Sequence, residues 1–164
     1  MADRTRPSPL TATAIGVLFV TVGIAVIVAA FQSTALGPDA DPRWLAAAAG
    51  AVFVLAGAAF YNGYAVAGGA APDGDLPADT PFVVRAIQYL LGLGIVGLMT
   101  AIFGWIAFGP GKRSFRIIGP ALLGLTDEEH VGRAAFGVGT VVMGLFLLLL
   151  AVIGARRLLR ARGR

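Results

Sequence analysis

Four long apolar stretches, at about residues 10–31, 44–68, 86–108 and 134–155, limit what this chain can fold into more than any other feature. A helix rises 1.5 Å per residue, so roughly 20 apolar residues cross a hydrocarbon core of about 30 Å. Each stretch comes close to that length, and none carries a charge in its interior. Lipid offers backbone N–H and C=O groups no water, so a spanning segment must be a helix or part of a closed barrel. The apolar runs are continuous rather than alternating, which excludes the barrel. The expected fold class is all-α: a polytopic membrane protein forming an antiparallel four-transmembrane-helix bundle.

Composition agrees. Hydrophobic residues make up 57% of the chain and charged residues 13%, against about 25% charged residues in soluble domains. With 164 residues, four spans leave no room for a folded soluble domain. A single membrane domain over residues 1–164 is therefore expected, with helices at about 9–31, 42–68, 81–108 and 127–160. There are no cysteines, so thiolate chemistry is absent and the redox compartment cannot be read. The net charge of +4 comes from basic residues at the chain ends and in one loop. Topogenic charge and lipid contact explain it, and no basic surface with interleaved aromatics suggests nucleic acid.

Ser8-Pro9, Asp41-Pro42 and Thr80-Pro81 each place a capping side chain before a proline, which predicts helix starts. Thr126 with Glu129 forms a capping-box pattern, so the fourth helix should start near Asp127. Gly37-Pro38, Gly68-Gly69 and Gly109-Pro110-Gly111 follow apolar runs and predict left-handed glycine stops. No internal repeat supports an inverted-repeat transporter.

Orientation follows from arginine and lysine. A cytoplasmic N-terminus puts Arg4, Arg6, Arg85, Arg156, Arg157, Arg160, Arg162 and Arg164 inside, and Arg43, Lys112, Arg113, Arg116 and Arg133 outside. The balance favours both termini in the cytoplasm. The first run can also be read as a signal peptide, with Arg4 and Arg6 as its basic start, but its apolar core exceeds the roughly 7–15 residues usual there.

Apolar burial does not drive helix association inside lipid, so small residues that allow close backbone approach matter. Candidate ladders are Thr21, Ala25 and Ala29 in the first helix and Ala59, Gly63 and Ala67 in the second. The third offers Gly97 with Ala101; the fourth offers Gly137 with Val141 and Thr140 with Gly144. Trp44 and Trp105 should lie at the outer interface, and Tyr61, Tyr64 and Tyr89 toward the inner one.

The candidate site is polar. Asn62, Arg85, Gln88 and Tyr89, with Tyr61 and Tyr64 nearby, should lie at similar depth if the second and third helices are antiparallel neighbours. Polar groups near hydrocarbon face protein or a water-filled cavity. One reading is a shallow site for an anion, quinone or lipid headgroup with Arg85 supplying charge. The other has Arg85 snorkelling to the interface while Asn62 and Gln88 bond neighbouring helices.

The third connection, 109–131, combines a glycine-proline turn, a basic aromatic stretch and the apolar residues Ile117, Ile118, Ala121, Leu122 and Leu123. Such a segment lies on the membrane surface or caps the bundle. Gly111-Lys112 is followed by Arg113 with no preceding strand, so it is not a P-loop. The run Phe108-Gly109-Pro110-Gly111-Lys112-Arg113-Ser114-Phe115, with Gly132-Arg133-Ala134-Ala135-Phe136-Gly137 further on, resembles a pattern in small uncharacterised bacterial multi-span membrane proteins. That resemblance covers the last third of the chain and implies multiple spans without an assigned activity.

His130 beside Asp127, Glu128 and Glu129 invites a metal reading, yet acids in a first helical turn complement the macrodipole without any ligand. A transition-metal site usually shows more imidazoles or thiolates. No span contains an acid or a histidine to serve as a catalytic pair, and no metal or cofactor is implied. The tail arginines Arg156, Arg157, Arg160, Arg162 and Arg164 should contact anionic lipids.

These features point to a non-enzymatic integral membrane protein, an accessory or structural component of a membrane assembly with a protein partner or a second copy of itself. The alternative is a small transporter, channel or lipid-binding protein using the Asn62 region. High alanine, glycine and arginine usage suits a bacterial inner membrane.

Overall fold

The computed structural model describes residues 9–32, 42–67, 76–77, 79–111 and 128–162. Four helices form: α1 (Pro9–Gln32), α2 (Arg43–Phe60), α3 (Phe82–Phe108) and α4 (Glu128–Arg162). A six-residue π-helical segment, Tyr61–Val66, continues α2. Among the described residues there is no strand. All four helices are long and apolar enough to cross a membrane, with α2 counted together with its π segment.

Size sorts these residues in the opposite sense to a water-soluble protein. The buried apolar residues are the alanines Ala12, Ala30, Ala48 and Ala107, and no large side chain is fully buried among the described residues. Large apolar side chains cover the outside instead; Val138, Leu145 and Leu90 each expose more than 60% of their surface. Apolar surface this extensive would drive aggregation in water, whereas lipid solvates it at no penalty.

The α1–α2 pair is antiparallel and packed on glycine. A Cβ placed on Gly16 would lie 3.1 Å from the Gly57 carbonyl oxygen, and one on Gly23 would lie 2.5 Å from that of Gly50. The seam therefore runs through Gly16, Gly23 and the buried Ala30, spaced seven residues apart. Thr21, Ala25 and Ala29, the ladder expected from spacing, are all exposed. They mark the opposite side of the helix.

Reciprocity also governs α3 and α4. Thr100 donates its hydroxyl to the Val96 carbonyl (2.8 Å) and Thr140 donates to that of Phe136 (2.8 Å). With each hydroxyl tied to its own helix, the threonine methyls face the partner's glycines. The Thr140 methyl meets Gly104, and the Thr100 methyl meets Gly144. The expected pairing of Thr140 with Gly144 is thus present, whereas Val141 is exposed. Gly97 has open space where a side chain would go, and Ala101 is exposed, so that pair does not form a contact.

Between α2 and α3, Leu55 lies 3.0 Å from the position of a Gly94 Cβ, and Trp44 meets Trp105 edge to face at 5.3 Å. Gly63 is buried near Gln88, while its ladder partners Ala59 and Ala67 are only half-buried. Extensive packing is confined to consecutive helices, α1 on α2 with its π segment, α2 on α3 and α3 on α4. The bundle is an antiparallel series with α1 and α4 at its ends.

Helix termini depart from the capping expectations. Pro42 and Pro81 occupy the N-cap positions themselves, and neither helix has a side-chain cap. The Thr80 hydroxyl is buried with no hydrogen-bond partner. Proline at the cap still supplies the carbonyl that opens the helix, as Pro81 does for the Arg85 N–H (3.2 Å). Gly109 closes α3 in an extended conformation, φ −64° and ψ 152°, rather than a left-handed one. The left-handed glycine is Gly111, at φ 102°, where a side chain would be strained. Ser8, Gly37-Pro38, Asp41, Gly68-Gly69 and the Thr126 capping box lie outside the described residues.

Candidate functional site

At the end of α2, the π-helical segment widens the turn, and Asn62 is buried on the α3 side at 7% exposure. Its Nδ2 donates to the Val84 carbonyl oxygen (3.1 Å) and to Gln88 Oε1 (2.9 Å). One amide thus bonds both the backbone and a side chain of α3. A buried amide in hydrocarbon needs such partners, and π-helical turns frequently sit at functional positions.

The neighbouring candidates face other elements. Arg85 Nη2 donates to the Pro77 carbonyl (3.1 Å), which ties α3 to the segment before it. Tyr89 points toward α4 and donates its hydroxyl to the Ala151 (2.9 Å) and Leu150 (3.3 Å) carbonyls. Gly154 makes room for this ring, since a Cβ there would collide with the ring carbons of Tyr89. Asn62 and Gln88 therefore come together as expected, whereas Tyr89 serves a different interface. Tyr64 stacks on Phe60 at 4.6 Å, and Tyr61 is exposed beside Gly16.

The opposite end of α3 holds an arrangement that sequence reasoning missed. Arg133, in the second turn of α4, reaches across to the last carbonyls of α3. Its Nη1 donates to Gly109 (3.1 Å) and Ala107 (3.5 Å), and its Nη2 donates to Gly111. Its Nε pairs with Glu129 at 3.2 Å. The final carbonyls of a helix have no partner within it, and a cation there also complements the macrodipole. The signal was present in the sequence: an arginine at the start of a helix that returns antiparallel lies level with those carbonyls. On sequence, Arg133 counts only among the outside charges that set orientation.

Glu129 is thus committed to Arg133, and no cluster of three or more potential metal ligands occurs among the described residues. Asp127 and the Glu128 side chain lie outside them. Of the tail arginines, Arg156 is exposed; the side chains of Arg157, Arg160 and Arg162, and all of Arg164, fall outside the described residues, as does the third connection from Lys112.

Beside Arg133 a groove of about 510 Å³ opens between α3 and α4, with an almost wholly apolar lining. It lies at the far end of α3 from Asn62. Comparison with known proteins finds no family model, no curated protein and no solved structure that matches this chain.

Proposed function

We propose that this chain is a non-enzymatic accessory or structural component of a membrane assembly. The observation that carries this reading is the use made of its polar side chains. Asn62 and Gln88 bond each other across α2 and α3, Tyr89 bonds α4, and Arg133 bonds the end of α3. Each makes hydrogen bonds that hold one helix to the next. What remains outside is an apolar surface suited to lipid and to other spans.

The membrane is a bacterial inner membrane in this proposal, with both termini cytoplasmic and the tail arginines Arg156, Arg157, Arg160, Arg162 and Arg164 on anionic lipid. The test is affinity purification in mild detergent with mass spectrometry of proteins and lipids. A stoichiometric protein partner, or a defined homo-oligomer, is expected. A monomer that carries neither overturns the assembly role.

A second reading draws on the π-helical segment at Asn62: a small transporter, channel or small-molecule-binding protein using Asn62, Arg85, Gln88 and Tyr89. It requires solvent or ligand to reach Asn62. Single cysteines at 62 and 88 that resist water-soluble maleimides in intact membranes would remove this alternative.

A further inference from the structure

The groove beside Arg133 has a definite shape and polarity. The last two residues of α3, Ala107 and Phe108, line it at the Arg133 end, and Ala134, Gly137, Val138 and Val142 line it along α4. Small residues on α4 create the space. The Phe108 ring stands 3.5 Å from where a Gly137 Cβ would be, and Ala134 adds only a methyl. From Arg133 to Val142 the helix rises about 14 Å, close to half of a hydrocarbon core about 30 Å thick. With Arg133 at headgroup level, a groove of that length reaches about the bilayer midplane.

The guanidinium at its head retains donor capacity. Arginine has five N–H bonds. Glu129 takes the Nε donor, Ala107 and Gly109 take the Nη1 pair, and Gly111 takes one from Nη2. One Nη2 hydrogen has no partner among the described residues, on a side chain that is 25% exposed. Guanidinium N–H groups are suited to phosphate oxygens.

We propose that this groove binds an anionic phospholipid, with one acyl chain between α3 and α4 and the headgroup phosphate at Arg133. A helix from another protein would fill the apolar part but would make no use of the remaining charged donor. The phospholipid satisfies both ends. This site is separate from the arginine tail, which lies at the other end of α4.

The test uses the full-length chain in mild detergent, titrated with dioleoyl phosphatidylglycerol or dioleoyl phosphatidylcholine and read by native mass spectrometry. Val138→Trp fills the groove from a position that is 65% exposed and leaves the Arg133 bonds in place. The wild-type chain should prefer phosphatidylglycerol about five-fold, the discrimination one arginine near a membrane surface provides. Val138→Trp should lose that preference, and glycerol phosphate, which has no chains, should not compete.

Equal binding of the two lipids by the wild-type chain overturns the proposal. A preference that survives in Val138→Trp places the anionic contact on the tail and also overturns it. Competition by glycerol phosphate reduces the site to an anion contact without a chain seat. Release of a co-purifying apolar protein by Val138→Trp makes the groove a helix-docking surface instead. Because the readout is lipid binding to the isolated chain, it stands or falls independently of partner capture.

Discussion

Gly23 and Gly50 exclude each other's side chains: a Cβ on Gly23 would lie 2.5 Å from the Gly50 carbonyl oxygen, and one on Gly50 would lie 2.7 Å from that of Gly23. Seven residues along each helix, Gly16 and Gly57 repeat the relationship, with 3.1 Å and 2.6 Å. Helices this close gain dispersion contacts along their whole length, which substitutes for the hydrophobic drive that lipid removes.

Gly50→Ala should therefore separate α1 from α2 and destabilise the protein by about 1–3 kcal/mol, the range for overpacking a tight interior. Thr21→Leu, on the exposed face of α1, should change stability by less than about 0.5 kcal/mol. Thermal unfolding in detergent distinguishes them. Equal effects would mean that the glycine seam is not the contact surface.

Asn62 bonds both Val84 and Gln88, so Asn62→Leu should destabilise by about 0.6 kcal/mol, the average for interhelical hydrogen bonds in membranes, and by no more than about 1.7 kcal/mol, the largest such value. Gln88→Leu in the same chain should add less than its effect alone, because the two amides satisfy each other. Additive losses in a double-mutant cycle would show that the bond contributes no coupling.

Tyr89 and Gly154 form a steric pair as well as flanking a hydrogen bond. Gly154→Ala should be more destabilising than Tyr89→Phe, since it displaces the whole ring and not only the hydroxyl. Introducing Tyr89→Ala should relieve most of the Gly154→Ala defect. A defect that persists without the ring would place the strain elsewhere.

Arg133 bonds the carbonyls of Ala107, Gly109 and Gly111. Arg133→Gln should release the last turn of α3, at a loss of about 1.5–3 kcal/mol for bonds to a charged group. Hydrogen exchange should accelerate at the amide of Gly109, which bonds the Trp105 carbonyl at 2.7 Å, and stay unchanged at the centre of α3. Uniform acceleration along α3 would indicate global destabilisation rather than loss of a cap.

The fold's elements were legible because length, apolar character and charge exclusion are local properties that the bilayer tests directly. Proline placement also located the start of α3, although Pro81 proved to be the cap and Thr80 contributed no hydrogen bond. The polar site was half legible. Asn62 and Gln88 meet, as their common depth implied, yet Tyr89 points the other way, since α3 packs on α2 with one face and α4 with another.

Sequence alone therefore determined that four apolar helices cross a membrane, since the backbone's need for hydrogen bonds in lipid leaves no other solution. Only the tertiary structure decided which face of each helix turns inward. These helices are apolar all round, so no polar stripe distinguishes a buried side from a lipid-facing one. On α1 residue spacing pointed to a ladder through Thr21, Ala25 and Ala29, whereas the contact face runs through Gly16, Gly23 and Ala30. Mutual fit against Gly50 and Gly57 chose that face. The antiparallel return of α4 puts Arg133 near the end of α3, and the same fit decided that its guanidinium bonds the Ala107 and Gly109 carbonyls.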